Sequence, residues 1–283
     1  MTSIPMTAEP VPPPPPERLR SRLRWALCDG LAVARRDLDH VRRAPGQLLV
    51  GLIFPVIMVV LFGYIFGSAI SVPGGGDYRA YLMPGLFAMT TVTGLVVTGT
   101  AMTDDMAKGV MDRFRSMPMA RSAVPFGQTA ADLLVGVVGL TGMVICGLAV
   151  GWRAHHGIGA TAAAFGLLLL LRYAVAWAGI ALGLAVRKPE TMDAMTPLVF
   201  PLTMLGNTFV PTSGMPAWLR VVAEWNPVSA AVAACRELFG NPGAATGAAW
   251  PLHHPMAATV AWSLLLLVVL VPLSTRLYRT SGR

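Results

Sequence analysis

Lysine is almost missing: Lys108 and Lys188 are the only two in 283 residues. A P-loop, Gly-x-x-x-x-Gly-Lys-Ser/Thr, needs its lysine between a glycine and a hydroxyl residue, so that backbone amides and the ammonium cradle phosphate. Lys108 is followed by Gly109 and Lys188 by Pro189, so the chain does not hydrolyse ATP through a P-loop. Cysteine is scarce too. Cys28, Cys146 and Cys235 are far apart and make neither a disulfide framework nor a Cys-x-x-Cys metal pair. The strings His-Glu-x-x-His and Gly-x-Ser-x-Gly do not occur, which removes sequence support for a hydrolase. Charged residues make up only 13% of the chain and apolar ones 54%, outside the range of an ordinary soluble domain. The net charge of +8 does not gather with aromatics on one folded region, so nucleic acid is not an expected partner. No cleaved leader is expected either, because the arm holds Pro12–Pro16 where a charged start would give way to an apolar run.

What the chain has in abundance is apolar length. Six stretches run approximately Leu48–Ile70, Tyr81–Thr103, Gln128–Gly151, Ile158–Val186, Met192–Val210 and Ala257–Thr275. A hydrocarbon core of ~30 Å needs ~20 apolar residues at helical rise, so each can span. The expected fold is an all-α polytopic membrane protein with six transmembrane helices. Of the 22 Lys and Arg residues, 17 fall in the amino-terminal arm, the second and fourth loops and the carboxyl tail. Only 4 fall in the other loops, and Arg172 lies inside a stretch. Basic residues are retained on the cytoplasmic side, so both termini are expected there, in a multi-pass protein of the cell membrane.

Residues 1–16 read as a disordered, proline-rich tail and residues 17–44 as an amphipathic helix before the first span. In that helix Leu19, Leu23, Leu27, Leu31, Ala34, Leu38 and Val41 recur at helical spacing among arginines. It either anchors the first span at the interface or also touches a cytoplasmic partner. Gly63/Gly67, Gly147/Gly151 and Gly179/Gly183 repeat at four residues and permit close helix approach, within one chain or at a dimer seam. The segment Thr212–Pro255 is too long for a turn and too apolar for a solvated loop. Met215, Trp218, Leu219, Val222 and Trp225 suit one short helix; Val228, Val232, Cys235 and Phe239 suit another that starts at Pro227. Two re-entrant helices in the outer leaflet fit this better than a seventh span, which Glu224, Arg236 and Glu237 would interrupt.

The second cytoplasmic loop is the most informative polar stretch. Val110, Phe114 and Met117 share one side of a short helix, while Asp112, Arg113 and Arg115 lie elsewhere around it, and Pro118 ends it. This is either an interfacial loop helix or an apolar knob for a groove on another protein. The run Asp112-Arg113-Phe114-Arg115-Ser116-Met117-Pro118, followed by Arg121 and Gly127, resembles the cytoplasmic loop of type-2 ABC exporter permeases. It is most similar to the antibiotic-efflux branch typified by daunorubicin-resistance permeases, where Glu-Arg-x-Arg-Ser-x-Pro is frequent and Asp112 here replaces the Glu. Trp225-Asn226-Pro227, with Arg236 downstream, resembles the family's segment before the last span.

The resemblance implies that residues 45–283 form an ABC-2 type transmembrane domain. Asp112, Arg113, Phe114, Arg115 and Met117 would form the coupling helix that docks on an ATP-binding subunit. It also implies a second permease protomer, expected as a homodimer, and ATP and Mg on the partner ATPase, with no cofactor in this chain. The expected substrate is a drug, antibiotic or small amphipathic metabolite. A permease for polysaccharide or lipid-linked substrate is the alternative within the family. A lipid-modifying membrane enzyme lacks a second acidic cluster beside Asp104/Asp105, and a membrane scaffold leaves the loop unexplained.

Arg172 is the awkward charge, since a lipid-facing arginine at mid-span costs ~3 kcal/mol or more. Asp132, about one turn from the cytoplasmic side, is not expected to reach it, and Glu224 or Glu237 in the outer segment is the expected partner. Snorkelling to the outer interface and direct substrate contact are the other readings of Arg172. His155/His156 and His253/His254 lack the further ligands that a closed metal site needs, and no metal is expected. Met58, Phe62, Phe66, Met89, Phe200, Met204 and Phe209 are candidates for an adaptable apolar pathway, against a default role in bundle packing.

Overall fold

Buried in hydrocarbon, a backbone satisfies its own polar groups most directly as a helix, and every regular element in the described part of this chain is helical. The computed structural model describes residues 45–67, 72, 75–111, 123–243 and 249–280. The expected tail 1–16, the amphipathic helix 17–44 and the loop run Asp112–Met117 lie outside the described residues. In chain order the helices are α1 (Pro45–Val60), extended by a π-helical turn Leu61–Phe66, then α2 (Tyr78–Val92) and α3 (Gly94–Ala107). There follow α4 (Ala123–Ala149), α5 (Ile158–Val186) and α6 (Pro189–Met204). After a 3-10 turn at Thr212–Gly214 come α7 (Ala217–Glu224), α8 (Pro227–Phe239), α9 (Trp250–His253) and α10 (Pro255–Thr280).

Four of these are long and apolar enough to cross a membrane: the α2–α3 pair as Tyr78–Ala107, Val124–Ala149, Ile158–Val186 and Pro255–Tyr278. They correspond to the second, third, fourth and sixth apolar stretches. The first stretch is helical but shorter, with an apolar run of Ile53–Ile65. The fifth stops early as a helix, because α6 ends at Met204 and the chain continues irregularly to Pro211. Pro197 and Pro201 lie inside α6, where each removes a ladder donor.

The α2–α3 pair and α5 form the centre of the molecule. Buried residues make up 72% and 67% of their most apolar portions, against 17% for α10, which presents one side to the surroundings. Glycine lets α3 lie directly on α5. An added Cβ at Gly183 would stand 2.7 Å from the Gly99 carbonyl, and one at Gly179 would overlap Thr98 and the Leu95 carbonyl. Thr98 Oγ1 then donates across the seam to Ala176 O at 3.0 Å. The Gly179/Gly183 repeat thus serves packing within one chain. Gly147 does the same against Met83.

The segment after Thr212 contains the two expected short helices. Trp225-Asn226-Pro227 is the joint between them: Asn226 is the N-cap of α8, its side chain accepting from Val228 N at 2.9 Å, and Pro227 occupies the first turn where no amide is needed. Gly240 closes α8 at φ 67°, a left-handed conformation that glycine adopts without strain.

Candidate functional site

Arg172 lies midway along α5, its side chain 3% exposed, and is bound by two other elements at once. Its Nη2 donates to Asp132 Oδ1 at 2.7 Å and its Nε to the Asp132 carbonyl at 3.1 Å, both on α4. Its Nη1 donates to Thr90 O at 2.9 Å, close to the end of α2. Two glycines make the room. A Cβ at Gly136 would overlap the Arg172 side chain, and one at Gly94 would come within 2.9 Å of Asp132 Oδ2. That second carboxylate oxygen is buried and has no hydrogen-bond partner among the described residues.

This pairing corrects the expectation from sequence. Arg172 is bound to Asp132 and not to Glu224 or Glu237. The apolar stretch starts at Gln128 by composition, but the helix begins at Ala123, so Asp132 lies nine residues, or ~14 Å, inside it. An extended arginine spans what remains of the height difference. Glu224 is buried elsewhere: it accepts from Thr212 Oγ1 at 3.3 Å and from Ala249 N at 3.0 Å, fastening together two points of the segment between α6 and α10. Glu237 is exposed.

A second polar cluster holds the irregular chain after α6. Successive carbonyls there receive side-chain donors: Asn207 O from Tyr81 Oη at 3.1 Å and from Arg236 Nη2 at 2.8 Å, Thr208 O from Arg236 Nη2 at 3.3 Å, and Phe209 O from Tyr78 Oη at 2.8 Å. Ser229 Oγ accepts the Asn207 amide at 3.2 Å. Arg236 is fully buried, 0% exposed, donates through Nε to Tyr81 O at 3.1 Å, and lies 3.6 Å from the centre of the Tyr81 ring. Carbonyl dipoles and a ring face compensate its charge, with no carboxylate bonded to it among the described residues. Burial lowers its pKa from the ordinary arginine value, and Tyr81 opposes that shift. Gly85 lets α2 come this close, since a Cβ there would stand 2.8 Å from Thr208 O.

The pathway candidates fall mostly on the core of the single chain. Met58, Met89 and Phe209 are buried in it, and Phe62 and Met204 pack against it. The Phe62 and Phe209 rings lie 4.6 Å apart. The side chains of Phe66 and Phe200 lie outside the described ones. Among the described residues no His, Cys, Asp or Glu side chains cluster as a metal site. The histidine pairs are exposed; the backbone amide of His155 donates to Phe239 O at 2.8 Å, and the His254 ring lies 5.6 Å from Trp250.

Comparison with known proteins gives this arrangement its family. The model of the ABC-2 type transporter family matches residues 30–239. The chain belongs to the ABC-2 type transporter family. It is 32% identical to the daunorubicin resistance ABC transporter permease protein DrrB1 of Streptomyces coeruleorubidus, with 100% of this chain and 99% of the relative aligned. It is 28% identical to the doxorubicin resistance ABC transporter permease protein DrrB of Mycobacterium tuberculosis, covering 81% of this chain and 82% of the relative. A putative transport permease, ycf38, of Porphyra purpurea is 24% identical over 74% of this chain and 73% of its own length. As an ABC-2 permease the chain is the membrane component, a multi-pass protein and not itself an enzyme, and an ABC ATPase is a separate subunit.

Sequence reasoning passed over Asp132 as a partner, and Tyr78, Tyr81 and Arg236 as a group. A signal for Arg236 was present. It falls four residues after Val232 and three before Phe239, on the same side of α8 as those apolar residues, and so faces inward.

Proposed function

We propose that this chain is the permease of an ATP-driven exporter of small amphipathic drugs or antibiotics, working as a homodimer with two ATPase subunits. The observation that carries the reading is full-length similarity, at 32% identity, to a permease whose name states daunorubicin resistance. Six helices cross the cell membrane with both termini in the cytoplasm, an orientation supported by the basic-residue bias. Residues 1–16 are a tail and residues 17–44 an amphipathic helix leading into the transmembrane domain of residues 45–283.

Asp112, Arg113, Phe114, Arg115 and Met117 form the coupling element. α3 runs towards this loop and α4 leaves it, so any force on the loop acts first on those two helices. ATP and Mg are bound by the partner subunit, whose closure pulls on the loop and alternates the permease pair between inward-facing and outward-facing states. Met58, Phe62, Phe66, Met89, Phe200, Met204 and Phe209 are the candidate pathway residues; Phe62 and Met204, only half-buried, can present adaptable apolar surface once the protomers part, whereas Met58, Met89 and Phe209 pack the core of one chain.

The test is ATP-dependent daunorubicin uptake into inside-out vesicles carrying this chain and its ATPase. Phe114→Ala truncates an interface aromatic, a change that costs ~2 kcal/mol or more at a hot spot. It should insert normally yet recover less ATPase and lose uptake. Unchanged recovery and uptake in both Phe114→Ala and Arg115→Glu would reject the loop as the coupling element. Absence of uptake with the ATPase bound would reject the drug substrate, and uptake without any ATPase would overturn the whole reading.

A further inference from the structure

We infer that Arg172 is a positioning residue of the transport cycle, the fulcrum through which movement of the 112–122 loop reaches the outer half of the permease. The inference rests on the proposed coupling role of that loop. The two helices that flank the loop, α3 and α4, converge at one depth on a single guanidinium. α4 is held there through both the carboxylate and the carbonyl of Asp132. α3 starts there, with Gly94 against the Asp132 carboxylate and the Arg172 side chain. α2, which continues to the outer cluster of Tyr78 and Tyr81, is held there through Thr90 O. The apolar span Tyr78–Ala107 is interrupted at this level, where Thr93 separates α2 from α3. An interruption bracketed on both sides by one side chain is a joint with a pin through it.

Two further observations favour a moving joint over a static brace. α3 is seated on α5 along the Gly179 and Gly183 seam and by the Thr98–Ala176 hydrogen bond, so a push on α3 is carried to the helix that bears Arg172. Asp132 meets the guanidinium through Oδ1 only, while Oδ2, on the Gly94 side, has no partner among the described residues. One carboxylate therefore offers Arg172 two acceptors. The guanidinium can pass from one oxygen to the other as α4 shifts against α5, and the ion pair persists through the displacement.

The experiment uses the full permease with its ATPase in vesicles and measures three quantities: ATPase recovered with the permease, ATP hydrolysed, and daunorubicin transported. Asp132→Asn keeps size and one acceptor but removes the second equivalent oxygen and the charge; Arg172→Lys keeps charge but loses the fork. Asp132→Asn should lower folded yield, because it strands the buried guanidinium, and Arg172→Lys should lower it less. In the protein that folds, ATPase recovery should hold while daunorubicin moved per ATP falls at least about fivefold, the lower end of ordinary coupling energies. A wild-type ratio in either folded variant overturns the inference. So does normal transport per ATP with diminished ATPase recovery, which would assign the pair to docking, or failure of both variants to fold, which would leave it purely structural. Phe114→Ala runs in parallel. If it leaves recovery and transport intact, the coupling-loop reading has failed. If it abolishes recovery while Asp132→Asn transports normally per ATP, only the fulcrum has failed.

Discussion

Removing Arg172 outright exposes how much a buried carboxylate depends on it. In Arg172→Ala, Asp132 keeps its place, 2% exposed, with no cation, and breaking a buried pair in this way costs ~3–5 kcal/mol. Folded yield and the melting midpoint in detergent should both drop. Replacing both partners with apolar residues, as in Arg172→Met with Asp132→Leu, should restore much of the loss, because no charge is then stranded. A wild-type midpoint for Arg172→Ala would show that the pair carries no stability. Cys235 gives a second test at this scale. It is 0% exposed, and burial pushes its thiol from the ordinary 9.0 up to about 12, against a smaller opposing effect of Arg236. With Cys28 and Cys146 replaced, the folded protein should resist maleimide and react only on unfolding. Its pH dependence has a fixed sign. Above pH 9.0 the unfolded thiol loses its proton while the folded one keeps it, so the contribution to stability is complete below 9.0 and is lost as pH rises towards 12. Rapid native labelling at pH 8 would contradict this burial.

At the scale of elements, regular helix was legible and its interruptions were not. The fourth apolar stretch has the same bounds as α5, Ile158–Val186, because Gly157 precedes the run and Arg187 follows it, at φ 61°. Asn226-Pro227 similarly marks the start of α8 through capping chemistry that is local in sequence. The break at Thr93 carries no such mark: Thr93-Gly94 lies in an apolar run that reads as one span. Its cause is partly tertiary: the Thr90 carbonyl receives Arg172 Nη1 at 2.9 Å, from a helix far along the chain, as well as the nearby Thr93 Oγ1 at 2.6 Å. The same holds for the chain after Met204. Its composition is that of a span, but its carbonyls bond to side chains of α2 and α8. Tyr78→Phe and Tyr81→Phe remove only hydroxyls. Tyr78→Phe leaves the Phe209 carbonyl without its donor and should cost ~1–3 kcal/mol, Tyr81→Phe should cost less because Asn207 O keeps its bond from Arg236, and the double variant should be lower still. Midpoints within error of wild type for both single variants would show that the carbonyls find other donors.

For the whole molecule, the fold class followed from apolar length and the family from a short polar loop, while the internal arrangement depended on pairings that no periodicity reveals. The positions of Asp132 and Arg172 along their spans were readable. Their pairing was not, because it turned on where α4 begins, and that start lies among residues less apolar than the span itself. The orientation remains a prediction from charge. Single cysteines at Ser116 and Thr246 in a cysteine-free background, treated with an impermeant reagent on intact cells, should give labelling of Thr246→Cys alone. Labelling of Ser116→Cys alone would invert the topology.

The link between α6 and α7 also limits how this protein can be recombined with its relatives. A helix carries its backbone hydrogen bonds within itself and can be transplanted whole. The stretch from Asn207 to Phe209 cannot, for its carbonyls are satisfied by Tyr78, Tyr81 and Arg236, and its Asn207 amide by Ser229. A chimera that imports this stretch without those four side chains imports unsatisfied backbone into a non-aqueous interior. Crossovers placed between Met204 and Thr212 should therefore yield little folded protein, while those that exchange α2, the link and α8 together should be tolerated.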